Sequence, residues 1–209
     1  LLAVLALLKE GVIICNGYKD RAYIRLALIG LQMGLNLFIV IEKPSELELI
    51  IEESVRMNVS PQLGVRVRLS NIGTGNWQNS GGDKAKFGFH ATELIKMIAR
   101  LKQVNMLDNL LLMHFHMGSQ IPELRDIKKA LGEAGQFYKE LRRAGASIKI
   151  LDIGGGLGID YEGSGSARDN SINYCFEDYA DAVVGAICGI CEKNRLPHPS
   201  KTRPPKPNP

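Results

Sequence analysis

Short runs of Val, Ile and Leu recur along this chain, separated by longer stretches with helical periodicity, and each run gives way to a cluster of polar residues and glycine. Apolar runs without alternation are the mark of strands buried on both faces, which parallel sheets covered by helices require. They predict strands at 12–15, 37–41, 63–69, 110–115 and 148–153, with helices at 19–33, 46–57, 92–104, 123–144 and 177–193. The pattern is a βα unit repeated about five times. Ser45 with Glu48 reads as a capping box ahead of Leu47, Ile50 and Ile51, and Gly145 after Arg142 and Arg143 as a helix stop.

The chain has 209 residues, 45% of them hydrophobic, whereas a complete α/β barrel takes about 250. The expectation is one partial barrel domain over residues 1–200, opening with a helix cut in half. Residues 201–209 hold Pro204, Pro205, Pro207 and Pro209 and read as a disordered tail, because proline removes backbone donors. The formal charge of +4 is carried largely by Lys201, Arg203 and Lys206, so the rest gives no footprint for nucleic acid. The opening LLAVLALLKEG is far shorter than the roughly 20 residues that span a bilayer, and it lacks a basic leader. No membrane association is expected, and the cytoplasm is the default. Cys188-Gly-Ile-Cys191 matches C-x-x-C but has no second pair and falls late in an apolar helix, which favours packing over zinc or redox chemistry.

The polar clusters CNGYKD, IEKPSE, RLSN, HFHMGSQ and DIGGGLG all follow strands. Both α/β barrels and doubly wound sheets collect ligands at the carboxyl ends of their strands, so a site is located there under either topology. In DIGGGLGID, Gly154, Gly155, Gly156 and Gly158 allow a sharp turn that brings several N–H groups onto one anion, a phosphate being the natural ligand; a plain tight turn is the alternative. The spacing fails both dinucleotide and nucleotide-triphosphate loops. His114 and His116 are two apart on a strand, suited to one packed histidine and one meeting a planar ligand, with Ser119 and Gln120 supplying hydrogen bonds beyond the strand end; a third metal ligand is not evident, and no metal residues are nominated. Arg66 and Arg68 fall on a common strand face and call for an acidic partner or an anionic ligand, as does Lys86. Residues 71–83 (NIGTGNWQNSGGD) read as an ordered functional loop rather than filler.

Together, CNGYKDRAYIRLALIG, LGVRVRLSNIGTGNWQNSGGDKAKFG, HFHMGSQI, RDIKKALGEAGQFYKEL and DIGGGLGIDYEG resemble the bacterial biosynthetic arginine decarboxylases, pyridoxal-phosphate enzymes of the alanine racemase-like barrel class. HFHMGSQ and DIGGGLG alone would also suit ornithine and diaminopimelate decarboxylases; the tryptophan-containing loop ranks arginine first. The resemblance implies a partial barrel of the pyridoxal-phosphate-binding type. It implies that His116 stacks on the pyridine ring, that Ser119 lies beside the cofactor, that Gly154, Gly155 and Gly156 hold the phosphate, and that Arg66 lies near the cofactor. Lys86 matches the family's Lys-Phe-Gly motif and belongs near the catalytic centre. The implied reaction converts L-arginine to agmatine and carbon dioxide, an entry to putrescine and spermidine biosynthesis, with the cofactor as electron sink. Magnesium and a homo-oligomer, a tetramer, are implied by the family alone.

The departures are equally specific. The family's imine-forming lysine lies in an Ile-Lys-Val-Asn-type segment that does not occur in this chain. Its Glu-Ser-Gly-Arg motif is expected after LPHP, where SKTRPPKPNP stands. The β-rich C-terminal domain is missing as well. The expectation is a fragment inactive on its own, with a diaminopimelate- or ornithine-type enzyme, a non-catalytic pyridoxal-phosphate-binding remnant and an unstable misassembled piece as alternatives.

Overall fold

The computed structural model describes residues 1–7, 10–70, 87–168 and 170–203. Along them run α1 (Leu2–Leu7), β1 (Ile13–Cys15), α2 (Arg21–Gln32), β2 (Leu37–Ile41), α3 (Pro44–Met57), β3 (Leu63–Arg66), α4 (Ala91–Gln103), β4 (Leu110–His114), α5 (Leu124–Arg143), β5 (Ile150–Asp152), α6 (Phe176–Asn194) and β6 (Lys201–Arg203). The strands lie in one sheet in the order β1 to β6, and every neighbouring pair is parallel.

That order settles which α/β architecture the polar strand ends belong to. A doubly wound sheet reverses its strand order at a switch point, whereas here each crossover returns beside the strand it left, as in a barrel. The chain forms a half-barrel. Burial divides accordingly: Leu37, Ile39, Ile41, Leu63 and Val65 pack with the helix residues Ile24, Leu28, Ile50 and Leu101 in one large core. Phe38, Val40, Leu112 and Ile150 form a separate cluster on the opposite, inner face. Each fully buried Leu or Ile contributes roughly 1.5–3 kcal/mol, so both clusters matter to folding.

Several boundaries move for identifiable reasons. The capping box expected of Ser45 and Glu48 does not form. Lys43 is the N-cap and Pro44 occupies the first turn of α3, because the fixed φ of proline suits that position; Glu48 instead pairs with Arg100 at 2.8 Å. Gly145 does follow the end of α5, with φ of +100°. β3 ends at Arg66; the next residue, Val67, bridges to Phe89 while its amide still donates to the His114 carbonyl at 2.8 Å. Lys201–Arg203, read from the sequence as the start of a disordered tail, pair with β5; they precede the first proline of the tail and keep their backbone donors. Cys188 and Cys191 are free and sit within α6, Cys191 buried with its thiol 3.7 Å from the Pro197 carbonyl.

Candidate functional site at the strand carboxyl ends

The inner face is built in layers. Val40 pairs in register with Gly64, Gly64 with Leu112, and Leu112 with Ile150. Side chains two residues on return to the same face, so the next layer toward the carboxyl ends holds Glu42, Arg66, His114 and Asp152. Register pairs Arg66 with His114 and His114 with Asp152. An apolar floor thus carries a polar layer above it.

The polar layer is internally balanced. Glu42 is fully buried and accepts from Arg66 Nη1 at 3.1 Å and from the Gly17 amide at 2.6 Å. Glu46 accepts the Glu42 amide at 2.8 Å and pairs with the fully buried Lys19 ammonium at 3.3 Å, which also donates to the Gly17 carbonyl. A buried charge left unpaired is strongly disfavoured, and here two carboxylates meet two cations. On the other side His114 Nδ1 lies 3.3 Å from Asp152 Oδ2. Arg66 therefore has the acidic partner that one reading of the sequence asked for. Arg68 parts from it, meeting His90 at 2.7 Å and the Gly88 carbonyl at 3.0 Å.

Just past β4 and β5, two loops nest against one another. His116 is half-buried; burial, then the nearby Arg66 charge, then His114 push its imidazole down to about 4 against a smaller opposing effect of Asp152. The ring is neutral at physiological pH. Gly154 packs so closely that a Cβ there would come within 2.7 Å of the Phe115 carbonyl oxygen and 3.2 Å of His116 Nδ1, and one on Gly156, whose φ is +108°, within 1.8 Å of the Gly118 carbonyl oxygen. Both must be glycine. Gly155 at the apex is exposed, with nothing within 4 Å of where a Cβ would sit. Ser119 is exposed beside this turn.

Arg66, His116, Ser119 and Gly154 to Gly156 are therefore brought to one end of neighbouring strands. Lys86 and the loop 71–83 lie outside the described residues. Gln120, expected to bond a ligand, instead spends its amide on the backbone of the second loop, donating to the Ile159 carbonyl at 2.7 Å and accepting the Ile159 amide at 3.0 Å. The sequence reading assigns no role to Glu42 or Lys19. The available signal was positional: each follows an apolar run within a few residues, in the same ring of strand ends as Arg66. Among the described residues no group of three or more His, Cys, Asp or Glu is arranged to hold a metal ion, and no helix is long and apolar enough to cross a membrane.

A half-barrel with a glycine turn and a half-buried histidine at its strand ends defines the class: an α/β barrel whose polar residues gather at the carboxyl ends of the strands. Residues 2–199 match the family described as pyridoxal-dependent decarboxylase, pyridoxal binding domain, and the chain belongs to that family. It is 53% identical over 200 residues to the biosynthetic arginine decarboxylase of Alkalilimnicola ehrlichii, covering 95% of this chain and 32% of that protein. Its fold is similar to the crystal structure of the biosynthetic arginine decarboxylase from Campylobacter jejuni, with a TM-score of 0.82 and 36% identity over 96% of this chain and 32% of that one. Diaminopimelate decarboxylase from Helicobacter pylori, complexed with L-lysine, matches with a TM-score of 0.68 and 25% identity over 85% of this chain and 42% of that one. The chain spans about a third of the length of the curated relatives it matches.

Proposed function

We propose that this chain forms the pyridoxal-phosphate-binding strand ends of a decarboxylase that converts L-arginine to agmatine and carbon dioxide. The observation that supports the reading is the close seating of Gly154 against Phe115 and His116, which sets a glycine turn beside a neutral flat ring. The backbone amides of Gly155 and Gly156, with the Ser119 hydroxyl, are suited to hold a phosphate. His116, kept neutral chiefly by burial, would stack on the pyridine ring without opposing a proton on that ring. Arg66, held from behind by Glu42, presents a fixed positive charge to the same space, and Lys86 is assigned near it by its Lys-Phe-Gly motif. When bound, pyridoxal phosphate supplies the electron sink into which the departing carboxylate releases its electron pair. Arginine is preferred over other amino acids because the relatives at 50% identity or more over 95% of the chain are named biosynthetic arginine decarboxylases.

Lys19 is buried and committed to Glu46 and Gly17, and the Ile-Lys-Val-Asn-type segment that carries the imine-forming lysine in the resembling enzymes does not occur in this sequence. On that resemblance the 209-residue chain is expected to bind the cofactor without turning over. Release of labelled carbon dioxide from carboxyl-labelled arginine, ornithine and diaminopimelate tests the assignment in the natural full-length protein. Turnover of arginine alone supports it; preference for either of the others overturns the substrate, and binding without turnover in that protein overturns the reaction.

A further inference from the structure

Gln120 is one of four non-glycine residues with positive φ among those described, at +50°. A glutamine there costs about 1 kcal/mol of backbone strain, and such strain persists only where the surroundings over-determine it. What holds it is the pair of bonds to Ile159, one donated and one accepted by the same side-chain amide. They act like an added rung of a sheet. Beside them, the Ile121 amide donates to the Gly156 carbonyl at 3.3 Å, and the buried Tyr174 hydroxyl donates to the Ile121 carbonyl at 2.8 Å while accepting the Gly158 amide at 3.2 Å. Gly156, Gly158 and Ile159 are thereby fixed to residues 120–121. The turn at Gly154–Gly156 is consequently anchored at its start by β5 and at its end by this clamp.

We infer that Gln120 is a positioning residue that sets how tightly the glycine turn holds a phosphate, without touching the cofactor itself. The inference rests on the pyridoxal-phosphate reading above. Backbone amides bind an anion well only when their directions are fixed beforehand, since ordering even one residue on binding is unfavourable by about 1–2 kcal/mol. Releasing the clamp leaves the ring pocket of His116 and Arg66 in place and loosens the phosphate cradle alone.

The test compares pyridoxal phosphate with pyridoxal, which has the same ring without phosphate, by equilibrium binding to the natural full-length protein. Two variants are used: Gln120→Gly, which relieves the positive φ and so keeps the fold, and Gln120→Met, which keeps side-chain bulk. Both should weaken pyridoxal phosphate about tenfold, the equivalent of ordering one residue, and leave pyridoxal within a factor of about two. A merely structural role would weaken both ligands alike, and that result, or unchanged binding of both, overturns the inference while the reading above stands. If the unmodified protein binds pyridoxal phosphate no better than pyridoxal, the cofactor assignment fails and takes the inference with it.

Discussion

Arg66, the last residue of β3, donates through Nη1 to Glu42, which lies wholly out of solvent just beyond the end of β2. The bond joins neighbouring strands across the inner face and turns a positive charge toward the loops that follow β4 and β5. Glu42 also accepts the Gly17 amide from the loop after β1, so one carboxylate ties three strand ends together.

Replacing that carboxylate isolates a set intended to be neutral. Glu42→Gln should destabilise the chain by about 3 kcal/mol, because removing one member of a buried ion pair leaves its partner uncompensated. Glu48→Gln, which breaks the exposed pair with Arg100, should change stability by under about 1 kcal/mol. Urea unfolding midpoints for the two variants make the comparison, and equal effects would mean that the inner layer is wetter than described.

His116 should remain neutral well below the usual histidine range. Its folded imidazole titrates near 4 and a free one at 6.5, so acid favours the unfolded chain, which takes up the proton first. The stability contributed by the neutral ring is complete above pH 6.5 and declines between 6.5 and 4. An NMR titration of the His116 ring should give a midpoint near 4, and a midpoint at 6.5 would show that the ring is not buried against the loops.

A second acid-sensitive point lies on the outer layer. Glu53 of α3 is held by Arg25 and then Arg21 of α2, and these hydrogen bonds bring its carboxyl down to about 2. Its pKa is depressed on folding, so the contribution is present above the ordinary value of 4.5 and is lost as pH falls toward 2. Glu53→Gln should therefore be less stable than the parent at pH 6, with the gap closing as the solution approaches pH 2. A gap that does not change with pH would place the effect in packing rather than charge.

The three glycines of the turn should respond differently to a single methyl. Gly156→Ala meets the Gly118 carbonyl and a positive φ, and Gly154→Ala meets the Phe115 carbonyl and a positive φ. Each should lose at least about 2 kcal/mol from overpacking and left-handed strain combined. Gly155→Ala, with open space around it, should melt like the parent. Thermal unfolding of the three variants checks the ranking.

Much of this was legible beforehand where the information is local. The five apolar runs located β1 to β5 because most residues on both faces of the strands are buried, and Leu37–Ile41 matched to the residue. The clustering of Arg66, His116, Ser119 and Gly154 at strand ends followed from the same runs. What escaped depends on relations between distant segments. Glu42 faces Arg66 only because β2 and β3 align in one particular register, and the choice between a barrel and a doubly wound sheet needed the strand order. Gln120 looked like a ligand donor because a glutamine past a strand end has no local partner; Ile159 reaches it only once the two loops nest. Pro44 outcompeted Ser45 as the start of α3, since a fixed φ in the first turn outweighs a side-chain cap.

The central claim is that pyridoxal phosphate sits at the carboxyl ends of β3, β4 and β5. The most direct measurement is amide chemical-shift mapping of the isotopically labelled protein as pyridoxal phosphate is added. Saturable shifts concentrated at His116, Ser119 and Gly154 to Gly156 are expected, reproduced in part by inorganic phosphate at the glycines alone. Shifts confined to other surfaces, such as the groove between α4 and α5, or none at saturating cofactor, would contradict it.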